Sequence, residues 1–236
     1  ENSTTEIFRP DYGPDYYAAI AYNQLPATVL PTAIGWVNNW NYANDIPTTP
    51  WKSAMSIPRT LSVKRMNNEW GLIQKPVVAI AGLRKNKITI DNAVVADKKI
   101  LPIKSKQFEM ECTIESGASS VSGIRLASGT NNYFELGYDA TKQVFYIDRS
   151  NSGNIGFNEN FKKFLHSEKA ISLKNKKIRV HIYFDNSIVE IFVNDGEAVF
   201  TAQIFPEENN TAIELFSTGG KSQFSGINFW EMKSAW

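Results

Sequence analysis

Hydrophobic and polar residues alternate with a period of two along much of this chain. Phe108, Met110, Cys112 and Ile114 fall on one side of a stretch whose other side carries Glu109, Glu111, Thr113 and Glu115. Ile178, Val180, Ile182 and Phe184 alternate in the same way with Arg179, His181 and Tyr183. Successive side chains of a strand point to opposite faces, so both stretches predict strands with one buried and one polar face. Ile188 to Val193 reads as a further strand, closed by Asn194-Asp-Gly196, residue types that accept a positive φ. Asn131-Asn132 and Asp139-Ala-Thr-Lys142 punctuate two more. No stretch of ordinary helix length carries a 3.6-residue period. Short strands with frequent turn signals predict an all-β chain, with a β-sandwich from about residue 85 to residue 236.

The first 80 residues are richer in Pro, Trp, Asn and Tyr, and their strands are shorter. Thr60 to Arg65, Asn67-Asn68 and Glu69 to Lys75 read as a hairpin whose last strand is limited by Pro76. Val77 to Arg84 is the expected linker. A chain of 236 residues is one large or two ordinary domains and buries a core without a covalent staple.

Composition narrows the function. With 25 basic and 24 acidic residues the net charge is +1, which offers no field for nucleic acid or an anionic membrane. No apolar run approaches the roughly 20 residues of a membrane span. Cys112 is the single cysteine, so no intrachain disulfide exists, and it reads as a small buried hydrophobe. His166 and His181 have no second His or Cys at ligand spacing, so no metal is expected. There is no Gly-x-Ser-x-Gly turn, no P-loop and no Gly-x-Gly-x-x-Gly, and no cofactor is expected. Aromatic residues make up 12% of the chain, which suits stacking on sugars and equally suits packing between strands. The glycosylation pattern occurs at Asn2 and Asn209. Glu1 to Thr5 has none of the features of a signal peptide, so any export signal is expected upstream.

Three ordered motifs open the chain: Asp11-Tyr-Gly-Pro-Asp-Tyr-Tyr-Ala18, Trp36-Val-Asn-Asn-Trp40-Asn-Tyr-Ala43 and Trp51-Lys-Ser-Ala-Met-Ser-Ile-Pro-Arg59. Asp148-Arg-Ser150, Phe184 to Gly196 and Ile204-Phe-Pro206 follow. Together they resemble glycoside hydrolase family 32, the β-fructosidases: levanases, exo-inulinases and invertases. The resemblance covers the whole chain and is strongest from Phe8 to Pro76. It implies that residues 1–80 are terminal blades of a five-bladed β-propeller and that residues 81–236 are a C-terminal β-sandwich. It also implies hydrolysis with retention, by an aspartate nucleophile and a glutamate acid/base standing roughly 5 Å apart, one ionised and one with a raised pKa.

Those carboxylates belong to motifs absent from this sequence. There is no Asn-Asp-Pro-Asn, no Arg-Asp-Pro, and Arg9-Pro10-Asp11 has the residues in another order. Glu111-Cys112 imitates the family's acid/base pair but falls on the polar face of a sandwich strand and is followed by Thr113. The expectation is a C-terminal portion of a β-fructosidase that lacks nucleophile and acid/base and is inactive alone. No catalytic residue is assigned.

The resemblance assigns substrate contact to Trp36, Trp40 and Asp11. Trp36 follows Gly35 and would line the fructosyl pocket, where a flat indole packs on the apolar face of the furanose. Its other reading is a blade core residue. Trp40 lies four positions on, on the same face if the strand continues, and its other and preferred reading is packing. Asp11 would accept sugar hydroxyls, or else serve as a turn residue before Gly13. Some sucrose-cleaving relatives carry a lysine where this chain has Pro14, which favours fructan chains. Asp15, Tyr16 and Tyr17 are expected to pack or hydrogen-bond between blades, and Arg59 to be blade scaffolding. Asn38 and Asn39 are placed at the rim of the axial funnel that, by the same resemblance, carries the propeller's active site, or in a structural role.

Two non-catalytic readings stand beside this. The sandwich would bind fructan on an aromatic-lined face or edge, with Tyr133, Tyr138, Tyr146, Tyr183 and Trp230 as candidates that otherwise serve packing, or it would be a scaffold that stabilises the propeller and supports a homo-oligomer. The expected partners are fructan or sucrose, with no nucleic acid and no membrane span. The expected location is secreted, periplasmic or cell-surface.

Overall fold

The computed structural model describes residues 9–66, 69–117, 121–173 and 175–235. The Asn67-Asn68 turn, Phe8 and the Asn2 sequon lie outside them. The architecture is all-β. Among the described residues the helical segments are two 3-10 turns, Val78–Leu83 and Phe161–Phe164.

The first part is one antiparallel sheet of five strands: β1 (Tyr17–Ala21), β2 (Thr32–Val37), β3 (Ala54–Met55), β4 (Arg59–Met66) and β5 (Glu69–Pro76). Its order is β1-β2-β4-β5, with β3 also on β2. Partial blades in the plural were expected. The described residues form a single open sheet, and a closed propeller is not among them. The expected hairpin is β4–β5, paired from Arg59 opposite Pro76 to Met66 opposite Glu69. The expected linker forms the first 3-10 turn.

The second part holds two six-stranded antiparallel sheets. One has β7 (Lys98–Lys104), β9 (Val121–Ser128), β10 (Phe134–Asp139), β11 (Val144–Asp148), β12 (His166–Ala170) and β16 (Ala212–Thr218), in the order β12-β11-β10-β9-β16-β7. The other has β6 (Arg84–Val95), β8 (Gln107–Glu115), β13 (Lys177–Asp185), β14 (Ile188–Val193), β15 (Ala198–Gln203) and β17 (Ser222–Met232), in the order β15-β14-β13-β8-β17-β6.

Register explains the core between them. Phe108 stands opposite Phe184, Met110 opposite Ile182, Cys112 opposite Val180 and Ile114 opposite Ile178. These eight side chains are buried together against Ile124, Leu126, Leu136, Phe145 and Leu215 of the facing sheet. Each such side chain contributes roughly 1.5–3 kcal/mol when fully buried. Asn194, Asp195 and Gly196 turn with φ of 49°, 62° and 94°, as their chemistry predicts. A Cβ on Gly196 would run into the Gln74 backbone, so the turn also docks onto β5.

Two departures from simple alternation matter. Strand β14 is buried on both faces from Val189 to Val193, because the first sheet covers the side away from the core. Glu109 was expected on a solvated face, but it is wholly buried. Arg84 donates to it from Nε at 2.7 Å and again from Nη2, His181 Nε2 lies 2.6 Å away and Tyr183 Oη donates at 2.9 Å.

The open sheet carries little core of its own. All of β1 is exposed, as are Val63 and Trp70 in the hairpin. Limited proteolysis is therefore expected to cut residues 9–80 before the sandwich. First cuts inside the paired strands of the two six-stranded sheets would contradict this.

Candidate functional site

The Asp11–Asp15 segment runs along β15, the edge of one sandwich sheet. An open edge presents unpaired backbone donors and acceptors. Here Tyr12 N donates to Val199 O at 2.8 Å and Asp15 N to Thr201 O at 3.2 Å. The two carboxylates take the outward amides: Thr201 N donates to Asp11 Oδ1 at 2.9 Å and Gln203 N to Asp15 Oδ2 at 2.7 Å. Gly13 passes so close to Thr201 that a Cβ would strike its backbone.

Two buried arginines complete the junction. Arg59 Nη1 donates to Asp11 Oδ2 at 2.8 Å, and its Nη2 to Glu190 Oε2 at 2.7 Å and Thr201 Oγ1 at 2.6 Å. The Tyr16 ring covers the guanidinium at 4.1 Å. Burial works against the Arg59 charge, but Glu190 and then Asp11 hold its pKa above the ordinary value. Burial pushes the Glu190 carboxyl upward, opposed by Arg59 and by the Ile57 amide. Arg149 Nη1 donates to Asp15 Oδ2 at 2.7 Å and to Gln203 O at 2.9 Å, while its Nη2 reaches Tyr42 Oη at 2.9 Å. Tyr42 donates in turn to Asp15. Asp15 thus binds across to the sandwich, where a contact between blades was expected.

Asp11 belongs to this junction. It accepts from Gly13 N at 2.8 Å as the turn reading requires, and Thr201, Arg59 and the Thr201 hydroxyl take up the rest of its carboxylate. Its side chain is 2% exposed, which leaves no surface for a sugar hydroxyl. Arg59 ties β4 to the sandwich and so exceeds the expected role within a blade.

Trp36 and Trp40 do come together. Their ring centroids lie 4.8 Å apart, and Tyr17 stands 6.3 Å from Trp36 across the β1–β2 pair. The route differs from the expected one. A continuous strand would separate positions four apart by about 13 Å. Instead β2 ends at Val37 and the chain turns through residues 38–45, which folds Trp40 back over Trp36. Asn38 and Asn39 build that turn: Asn38 Nδ2 donates to Ser53 Oγ at 2.8 Å and Asn39 Nδ2 to Pro14 O at 3.0 Å. Trp40 is 68% exposed and Trp36 half-buried, so the pair offers an aromatic face to solvent. Tyr17 packs edge-on against Trp36 and is otherwise exposed, where a contact between blades was expected.

The aromatic residues expected to form one face of the sandwich are divided between its two sheets: Tyr138 and Tyr146 lie in one, with Tyr133 beside it, and Tyr183 and Trp230 lie in the other, where the Arg84 guanidinium covers the Trp230 ring at 4.2 Å. Tyr138 and Tyr183 are buried, with their hydroxyls on Ile171 O and Glu109. Tyr146 donates to Glu135 and Tyr133 lies against Arg125. A half-open groove of about 610 Å³ does lie between the linker and the outer face of β8, β13 and β17, lined by Arg84, Glu111, Arg179, His181 and Asn228. Glu109, Glu111 and His181 bring three potential metal-ligand atoms within 4.8 Å, through cross-strand pairing that sequence spacing could not reveal. The Glu109 oxygen there already accepts from Arg84, and that guanidinium competes with a cation. Cys112 is buried and its thiol is pushed up to about 12 by burial. Among the described residues no helix is long and apolar enough to cross a membrane.

Comparison with known proteins agrees with this arrangement. A family model described as Glycosyl hydrolases family 32 C terminal matches residues 79–231, and one described as Glycosyl hydrolases family 32 N-terminal domain matches residues 2–76. A levanase of Bacillus subtilis is 32% identical over 244 residues, covering 100% of this chain and 36% of the levanase. An extracellular exo-inulinase of Aspergillus niger is 32% identical over 232 residues, covering 96% of this chain and 43% of the inulinase. The crystal structure of exo-inulinase from Aspergillus awamori superposes with a TM-score of 0.83 at 30% identity, over 96% of this chain and 45% of that one. The chain therefore spans less than half the length of these relatives.

Proposed function

This chain belongs to glycoside hydrolase family 32, and on that premise we propose that it is the C-terminal portion of a retaining β-fructosidase acting on levan, inulin or sucrose. In this reading residues 9–76 are the last part of the catalytic propeller and the sandwich braces it. The nucleophile and the acid/base lie in the upstream half of the longer protein. Four buried carboxylates of this chain are unsuited to replace them. Asp11, Asp15, Glu109 and Glu190 are all buried in bonds to arginine, and a buried ion pair is a poor proton carrier.

The observation that carries the reading is the exposed Trp36–Trp40 pair beside Tyr17, on a sheet whose face is left open. The indole of Trp36 would pack on the apolar face of a fructosyl ring, with Trp40 as its outer wall. Pro14, where a lysine stands in some sucrose-cleaving relatives, favours fructan over sucrose. Relatives that include a levanase and an extracellular exo-inulinase support the same substrate class and a secreted enzyme. The scaffold reading of the sandwich is compatible with this and is favoured by Arg149, Glu190 and Thr201, which hold the first sheet in place.

Two measurements test the proposal. The purified 236-residue chain should release no fructose from levan, inulin or sucrose, whereas the longer protein carrying the upstream half should. Release by the short chain alone would remove the assignment of the acids to the upstream half. In the longer protein Trp36→Ala should weaken kcat/KM about tenfold, equivalent to ~1.4 kcal/mol of lost contact. Unchanged kinetics would place Trp36 outside the sugar site.

A further inference from the structure

We propose that Glu190, a residue of the sandwich, is a positioning residue for the Trp36 wall, acting through a relay of buried contacts that runs from the second part of the chain into the first. Its consequence for sugar binding rests on the function proposed above. The relay itself does not.

The path can be followed bond by bond. Glu190 Oε1 accepts the Ile57 amide at 2.7 Å, and Oε2 accepts Arg59 Nη2 at 2.7 Å. One carboxylate thereby fixes both ends of the three-residue bridge that leads into β4. Ser56, next to Ile57, is buried and bonded twice to Gly35: its N donates to Gly35 O at 2.8 Å, and Gly35 N donates to its Oγ at 3.0 Å. Gly35 immediately precedes Trp36. A second branch runs from Arg59 through the Tyr16 ring, which lies so close to Gly35 that a Cβ there would strike it. Both branches converge on the same residue. The backbone that aims Trp36 is thus clamped between Ser56 and Tyr16, and both are held in register by Glu190 and its partner Arg59.

Physical chemistry gives Glu190 a reason to be acidic there. It lies within an otherwise apolar strand, Ile188-Val-Glu-Ile-Phe-Val193, and is wholly desolvated. Burying a charge is costly unless it is paired and hydrogen-bonded. A purely structural contact between two apolar layers would be met more cheaply by Leu or Val. What a carboxylate adds is direction: two oxygens at a fixed angle, one on a backbone amide and one on a guanidinium. Sites held to within a fraction of an ångström use such supporting shells.

The experiment reads Trp36 directly, in the 236-residue chain and without substrate. The chain has six tryptophans, and Trp36→Phe identifies the Trp36 indole N–H resonance by its loss. Glu190→Gln keeps the size of the side chain and an acceptor for Ile57 but removes the charge facing Arg59. It should shift or broaden the Trp36 resonance, and Ser56→Ala should do the same. Ile178→Val, a truncation in the sandwich core remote from the relay, should lower stability and leave that resonance in place. If Glu190→Gln leaves the Trp36 signal unmoved, or Ile178→Val moves it as much, the relay is overturned. In the longer protein Glu190→Gln should lower kcat/KM roughly tenfold, mostly through KM, as expected of a displaced contact. A moved indole signal with unaltered fructoside kinetics would keep the relay and sink the sugar-binding role of Trp36.

Discussion

Arg59→Ala should destabilise the chain by about 3–5 kcal/mol, the range found when one partner of a buried ion pair is removed. Arg59 is fully buried between Asp11 and Glu190, whose side chains are 2% and 3% exposed. Removing the guanidinium leaves two desolvated carboxylates facing each other, with Thr201 Oγ1 as a remaining donor to Asp11. Water does not readily reach them, so the cost is the unpaired charge and not the lost contact alone. For a chain of this size that loss lowers the melting temperature by roughly 10 °C. Urea unfolding of wild type and variant measures it. A loss below about 1 kcal/mol would mean that solvent enters the junction and screens the pair as at a surface. Combining Arg59→Ala with Glu190→Gln should cost less than Arg59→Ala alone, because the same packing is lost but only Asp11 then remains charged. That ordering separates the penalty of stranded charge from the penalty of lost packing.

The second large effect is an acid transition that Glu109 governs. Burial tends to raise its pKa, but hydrogen bonds from Arg84, then His181 and Tyr183, outweigh burial and hold it at about 2 against an unperturbed 4.5. A carboxylate depressed in the folded state contributes stability that is fully present above its unfolded pKa and is lost as pH falls through its folded pKa. The window is therefore from about pH 4.5 down to about pH 2, and the shift corresponds to about 3 kcal/mol at neutral pH. Glu109→Gln should be less stable than wild type by about that amount at pH 7, with the gap closing as pH falls through the window. Stability curves for the two proteins that run parallel from pH 7 to pH 2 would refute the assignment. Glu190 acts in the opposite sense, since burial raises its pKa. The comparison must therefore be wild type against Glu109→Gln at each pH, not wild type alone.

The architecture was legible where one physical rule acted alone. Alternation placed Phe108, Met110, Cys112 and Ile114 on the inner face of β8, and all four are buried. The Asn-Asp-Gly turn followed from residues that tolerate positive φ. Motif order gave the family, which the matches over residues 2–76 and 79–231 establish. Alternation misplaced Glu109 because it reports which face a residue occupies and not what covers that face. Trp36 and Trp40 were expected on one face of a continuing strand, whereas a turn after β2 brings the two rings together.

The sequence by itself determined the strands, their inner faces, the turn chemistry and the family, because these depend on near neighbours or on ordered motifs. Only the tertiary structure decided what the charged residues of the opening motifs do. Asp11 meets Thr201, Arg59 meets Glu190 and Asp15 meets Arg149 across separations of more than 130 residues. No local pattern records such a meeting. Burial then turns the pairing from a surface contact of little consequence into a strong constraint, because a charge removed from water must find its partner in the fold.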